Sequence, residues 1–215
     1  GQKAPPLDAA KKWPVKMLCK DGDALRPGQI IAITQETQVI EHRVMIPPDA
    51  EGAASNTAPD GEYTIDQVLC KVGGREVRLF QRSPARRPRP FLERHTARRP
   101  LITGLRIIDT LFPIARGGTA AMPGGFGTGK TMTQHSLAKW ADADVIVYVG
   151  CGERGNEMTQ VLMDFPSLID PRTGRPLMER TILVANTSNM PVAAREVSIY
   201  TGVTLAEYYR DMGYH

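Results

Sequence analysis

Aromatic residues are scarce: Phe, Trp and Tyr make up 6% of the 215 residues. A protein that holds single-stranded nucleic acid by stacking bases on ring faces needs more of them. Cysteine is sparser still. Cys19, Cys70 and Cys151 lie far apart, with no C-x-x-C pair. That spacing offers neither a zinc site nor a disulfide framework, and it fits reduced thiols in a cytosolic protein. The histidines His42, His95, His135 and His215 show no metal-ligand spacing, and His135 reads as structural. No apolar run approaches the ~20 residues of a membrane span. Residues 1–12 lack the apolar core of a signal peptide. Work at a membrane would need another anchor. The chain opens on Gly1 and not on Met, as expected of a chain whose first residues are missing or processed.

Charge is modestly positive, +4 from 27 basic and 23 acidic residues. The excess is local: nine arginines fall between Arg75 and Arg99, against two acids, Glu76 and Glu93. A solvated, proline-broken connector explains such a run, and a patch for nucleic acid or acidic lipid is the other reading.

Three textures follow one another. Residues 13–82 hold short β-like runs at Gln29–Thr34, Val39–Ile46, Tyr63–Val72 and Glu76–Phe80. Gly73-Gly74 between the last two reads as a hairpin turn. The expectation is a small all-β domain over residues 1–82. Residues 83–100 alternate Arg with Pro, which removes donors and restricts the preceding residue, so regular structure is not expected there. From Leu101 strand and helix alternate. Buried strands are expected at Thr119–Met122, Val145–Val149 and Thr181–Ala185. Helices are expected at Lys130–Trp140, at Asn156–Phe165 stopping before Pro166, and at Pro191–Met212. Alternation of this kind implies a mostly parallel sheet.

The strongest motif is Gly124-Gly125-Phe126-Gly127-Thr128-Gly129-Lys130-Thr131, which fits G-x-x-x-x-G-K-[ST]. Its glycines let the backbone curl so that N–H groups face phosphate oxygens, and the following helix adds the positive end of its dipole. Lys130 can reach the outer phosphates, the Thr131 hydroxyl can ligate Mg²⁺, and Met132 follows within the same first turn. The bound species is expected to be ATP or ADP with Mg²⁺. A second motif, Gly150-Cys151-Gly152-Glu153-Arg154-Gly155, follows a predicted strand. Ligands of open α/β sheets gather at such strand ends. Glu153 is placed to orient an attacking water, with Arg154 beside it; a glycine turn with a surface ion pair is the alternative. Cys151 is expected as a small buried thiol. In a third segment, Asn186–Pro191 with Arg195-Glu196, polar residues could serve the site or an inter-subunit face. Helix capping by Ser188 or Asn189 would also account for them.

These residues resemble a known family. The strings LITGLRIIDTLFPIARGGTAAMPGGFGTGKT, QHSLAKWADADVIVYVGCGERGNEMT and ANTSNMPVAARE are similar to the catalytic A subunit of vacuolar-type and archaeal-type rotary ATPases. GDALRPGQIIAITQET, IEHRVMIPP and GEYTIDQVL resemble the β-rich insertion that distinguishes this subunit from its F-type counterpart. The resemblance implies an α/β, RecA-like P-loop NTPase core over residues 101–215 with an incomplete, mostly parallel sheet, preceded by the small β domain. It implies ATP hydrolysis or synthesis coupled to proton or sodium translocation. Glu153 would be the catalytic carboxylate, Arg154 its neighbour and Phe126 the loop aromatic. The implied partners are a B-type subunit in an alternating A3B3 ring, which donates an arginine in trans, and central and peripheral stalk subunits. No nucleic acid is expected. The implied location is cytoplasmic, with membrane contact only through the ion-translocating sector.

Three departures matter. Thr128 stands where some relatives carry a P-loop Cys, so thiol control there is not available. The connector QRSPARRPRP lacks a Trp found in many relatives. The chain stops at His215, ahead of the strand that carries the family's Walker B aspartate, and it is read as a fragment that hydrolyses ATP poorly alone. A non-hydrolysing nucleotide-binding assembly module and an RNA-dependent P-loop ATPase are the competing readings; a secretion-type ATPase is a near relative that the β insertion argues against.

Overall fold

The computed structural model describes residues 7–215 apart from Leu92 and Phe126. Two compact units divide the chain, Gly1–Pro84 and Ala85–His215.

The first unit is all-β. Its strands are β1 (Trp13–Met17), β2 (Ala24–Leu25), β3 (Ile30–Gln35), β4 (Glu41–Met45), β5 (Gly52–Ser55), β6 (Gly61–Tyr63), β7 (Cys70–Val72) and β8 (Arg75–Val77). They form two four-stranded sheets, ordered β4-β3-β1-β6 and β2-β5-β7-β8. All pairings are antiparallel. Both sheets feed one core: Val15, Ile31 and Val44 from the first meet Leu25, Ala54, Val72 and Val77 from the second. Gly73 and Gly74 join β7 to β8 with φ of 54° and 81°. Two successive left-handed residues match the twist of a tight hairpin, and only glycine takes them without strain. Cys19 and Cys70 are buried in this core as free thiols. Burial pushes the Cys70 thiol up to about 12, and the neighbouring Cys19 adds to the shift. Both are therefore protonated and unreactive at neutral pH.

The expected run Tyr63–Val72 is broken. Its two ends are β6 and β7, which belong to different sheets. Between them the Thr64 N–H donates to Gln67 Oε1 at 2.7 Å, closing a turn. Polar Thr64, Asp66 and Gln67 favour that turn over a continuous strand.

The second unit contains β9 (Pro100–Leu101), α1 (Arg106–Leu111), β10 (Ile114–Ala115), α2 (Lys130–Trp140), β11 (Ile146–Glu153), α3 (Gly155–Ser167), β12 (Thr181–Thr187) and α4 (Val192–Asp211). A 3-10 turn, Leu177–Arg180, leads into β12. β11 and β12 pair in parallel from Ile146↔Thr181 to Glu153↔Thr187. Helix α3 buries Met158, Val161 and Phe165, the one-sided spacing of an amphipathic helix. Phe165 meets Tyr148 edge-on, with centroids 5.7 Å apart. α4 lies close on β11: a Cβ at Gly202 would collide with Val149 Cγ2.

Four expectations are corrected here. Thr119–Met122 forms no strand and is largely exposed, because no strand among the described residues pairs with it, and an extended segment without a ladder has no partner for its backbone groups. Val145–Val149 is half-buried and not fully covered, since β12 is its one ladder neighbour among the described residues. α3 runs through Pro166 to Ser167 instead of stopping before it. Pro191 is the residue before α4, with no side-chain cap, so neither Ser188 nor Asn189 caps the helix.

Opposite the carboxyl ends of β11 and β12, a charged network ties their starts. Arg180 Nε donates to Asp170 Oδ2 at 2.8 Å, with side chains 3% and 1% exposed. Arg180 Nη1 donates to the Ala143 carbonyl at 2.7 Å, just ahead of β11. Burial raises the Asp170 pKa, but the Arg172 N–H and the Arg180 guanidinium outweigh it, and the carboxyl sits below its ordinary value.

Candidate functional site

The glycine-rich loop ends at Gly129, which precedes α2 with φ 80°. Gly127 is also left-handed, with φ 76°. These two positions turn the chain back before the helix begins, a path other residues follow only with strain. Gly124 is required for another reason: a Cβ there would stand 2.6 Å from Thr128 Oγ1. The Thr128 hydroxyl donates to the Gly125 carbonyl at 2.9 Å. Lys130 Nζ donates to the Gly124 carbonyl across the loop. The loop is exposed throughout its described residues. Phe126 lies outside the described residues.

The first turn of α2 carries no acid, and no side chain caps it. Its N–H groups and the positive dipole end therefore face solvent without competition from a carboxylate. Thr131 is the second residue of the helix. Met132, which follows it, is 69% exposed. A cradle of backbone donors, an exposed ammonium and a hydroxyl is the donor set that a nucleotide phosphate chain with Mg²⁺ requires.

Glu153 closes β11 and is half-buried. The register shift between Cys151 and Glu153, with Gly152 at φ 77°, turns the strand's last residues. The Glu153 carbonyl accepts from the Ser188 N–H at 2.8 Å, tying this corner to the end of β12. Burial raises the Glu153 pKa, and a hydrogen bond and like charge from Glu157 raise it further; Lys130 and Arg154 pull the other way. Tyr148 is raised as well, first by burial and then by Glu153 and Glu157. Arg154 is exposed and stands immediately before α3.

Two more residues stand at this corner, Glu157, which is new to the sequence reading, and Arg195 of the third segment. Glu157, which no motif marked, lies in the first turn of α3 and meets Glu153. An acid four residues after a site acid, at a helix start, was the available signal. Arg195 lies across Gly152, where a Cβ would be 3.1 Å from its Cδ and Nη1. Cys151 is exposed and not buried as expected. Its Sγ donates to the Arg195 carbonyl at 3.1 Å. It lies on the face of β11 that meets α4, two residues beyond the Val149–Gly202 contact.

His135, on α2, packs 5.7 Å from the Phe165 ring and 6.0 Å from Tyr148. That is a place in the packing beneath the loop, as its structural reading implied.

Comparison with known proteins gives the same picture. The profile described as "ATP synthase alpha/beta family, nucleotide-binding domain" matches residues 104–215. "ATPsynthase alpha/beta subunit barrel-sandwich domain" matches residues 4–86. The chain is 61% identical over 212 residues to the V-type ATP synthase alpha chain 2 of Clostridium tetani, covering 97% of this chain and 36% of that one. It is 58% identical over 215 residues to the V-type ATP synthase alpha chain of Halothermothrix orenii, covering 98% of this chain and 36% of the relative. Among solved structures, an ATPase of the type III secretion system of pathogenic bacteria superposes with a TM-score of 0.50 at 28% identity, over 74% of this chain and 41% of that one. The chain thus spans a little over a third of the length of these curated relatives.

Proposed function

The chain belongs to the ATP synthase alpha/beta family, and from that premise we propose that it is the nucleotide-binding part of a catalytic A subunit of a rotary ATPase. Its parent protein hydrolyses or makes ATP in step with proton or sodium movement. The observation that carries this reading is the glycine loop that opens α2, with Lys130 and Thr131 in the helix's first turn, together with Glu153 at the carboxyl end of β11.

The chemistry follows from the residues. Residues 124–129 and the open first turn of α2 bind the phosphates through backbone N–H groups. Lys130 adds a cation that neutralises charge as the terminal phosphoryl group departs. Thr131 is the hydroxyl that would hold Mg²⁺, which when bound draws charge from the phosphate oxygens. Glu153 orients the attacking water and accepts its proton. A raised pKa suits that task, because a base near the working pH accepts protons best. Arg154 places a second cation at the same corner. Positioning and charge are nearly all that phosphoryl transfer asks of a protein.

In the assembled enzyme a B-type subunit stands beside this site, with stalk subunits and an ion-translocating sector beyond. No helix among the described residues is long and apolar enough to cross a membrane. An RNA-dependent ATPase finds little support in the arginine-rich stretch. Arg75 pairs with Asp49, Arg78 with Glu76, Arg86 with Glu196 and Arg89 with Asp211, so these cations already face carboxylates.

In the full-length protein, assembled with its partner, Glu153→Gln should leave ATP binding intact and remove turnover. Steady-state hydrolysis and nucleotide titration check this together. Near-normal hydrolysis would take Glu153 out of the catalytic role.

A further inference from the structure

The arginine–proline stretch does not stand free of the second unit. Its first residues follow α4 turn by turn. Arg86 Nη2 is 3.7 Å from Glu196 Oε1, and its guanidinium lies 5.4 Å from the Tyr200 ring centroid. The Thr204 hydroxyl, which donates to the Tyr200 carbonyl at 2.8 Å within α4, also lies 3.3 Å from the Ala85 carbonyl. The Arg89 N–H donates to Glu207 Oε2 at 2.8 Å, and its Nε donates to Asp211 Oδ2 at 2.7 Å. The same guanidinium lies 5.0 Å from the Tyr208 ring. Arg89 is only 6% exposed, against the solvated reading of this run. Positions 196, 200, 204, 207–208 and 211 recur at three- and four-residue steps, so one helix face carries every tie.

α4 also touches the corner that holds Glu153. Its first turn supplies the Arg195 carbonyl that accepts from Cys151 Sγ, and Arg195 covers Gly152. Further along, the contact with β11 is made at Gly202 against Val149. Glycine allows the close approach but supplies no side chain to interlock with the strand. The polar ties to residues 85–89 add directional contacts to that close packing.

We propose that residues 85–89 form a strap that fixes α4 against β11, and that Arg89 is a positioning residue for the Cys151–Glu153 corner. The proposal rests on the reading of Glu153 as the catalytic carboxylate for its kinetic consequence, but not for its structural one. The ties of Arg89 run to Glu207, Tyr208 and Asp211. Loss of the strap lets α4 shift, and the Arg195–Cys151 and Arg195–Gly152 contacts loosen with it.

The test uses the full-length protein, with Cys151 as an internal reporter. Alkylation by iodoacetamide is followed at the Cys151 peptide, and ATP hydrolysis is measured after assembly with the partner. Arg89→Ala should label Cys151 several-fold faster. It should also lower kcat about ten- to a hundredfold with little change in KM, the signature of a misplaced catalytic group. Arg89→Lys should recover part of both. Arg86→Ala, at the exposed end, should move both readouts the same way by less. If Arg89→Ala does not fold, Arg86→Ala decides: faster labelling supports the strap and unchanged labelling overturns it. A folded Arg89→Ala protein with wild-type labelling and wild-type kcat also overturns it, as does a rise in KM at constant kcat. Should the wild-type assembly prove inactive, the functional reading fails, while the labelling result still judges the strap.

Discussion

The two units spend their apolar residues differently. In the first, fourteen buried residues make one cluster shared by two sheets. In the second, the buried cluster among the described residues has four members, Ala138, Val161, Phe165 and Leu177. Large apolar side chains meanwhile stand open there, among them Ile107, Phe112 and Met163 at 68%, 70% and 70% exposure. A sandwich of eight short strands closes its own interior. A parallel pair with helices does not, and a two-stranded sheet is marginal without further packing. Polar ties hold the second unit where the first relies on burial: Asp170–Arg180 at one end of the strands, Arg89–Asp211 along α4, and the Ser188 N–H on the Glu153 carbonyl. The candidate phosphate site thus stands on the unit with the smaller buried cluster among the described residues.

That contrast can be broken by substitution. The largest stability effect belongs to Asp170→Asn. It strands a buried guanidinium, and removing one partner of a buried pair costs about 3–5 kcal/mol. Thermal melting of the second unit should register that loss at neutral pH. Because the Asp170 pKa is lowered in the fold, its contribution is present above the ordinary carboxylate value and is lost as pH falls through the folded one. The gap between wild type and variant should therefore narrow in acid. A gap independent of pH would remove the ion pair from the account.

Leu69→Ala should come next. Leu69 is fully buried in the first unit's core, and such truncations cost about 2–5 kcal/mol. Hydrogen exchange should accelerate in the β sandwich while α2, α3 and β11 keep their protection. Equal loss of protection in both units would mean that they share one cooperative transition, and the contrast between them would fall.

The smallest effect concerns the site. Glu157→Gln removes a like charge from Glu153, one of the causes that hold its pKa up. A base with a lower pKa stays ionised in more acid solution. The acid limb of the pH–kcat profile in the assembled enzyme should then move to lower pH. A limb that stays put would show that Glu157 does not set the proton state of Glu153.

The glycine-rich loop ahead of α2 was legible in the sequence because its requirements are local. Gly127 and Gly129 are demanded by backbone angles, and Lys130 opens the helix wherever the chain goes next. Hairpin Gly73-Gly74 was legible for the same reason. What the sequence hid depends on distant partners. Arg89 looks solvated until Asp211, 122 residues later, is seen beside it. Thr119–Met122 has the composition of a strand, but a strand exists only when another pairs with it. Cys151 looked like a core thiol by residue type, yet it is exposed beside the first turn of α4, with its Sγ on the Arg195 carbonyl. Tyr63–Val72 reads as one apolar run, and the Thr64–Gln67 turn shares it between two sheets.

The most direct test of the central claim is Mg-ATP binding by calorimetry, wild type beside Lys130→Ala, with circular dichroism to confirm that both are folded. The account predicts binding by the wild type and its loss in the variant at unchanged fold. Equal affinity in the two folded proteins would contradict it, because the cradle of residues 124–131 would then not be where the triphosphate is held.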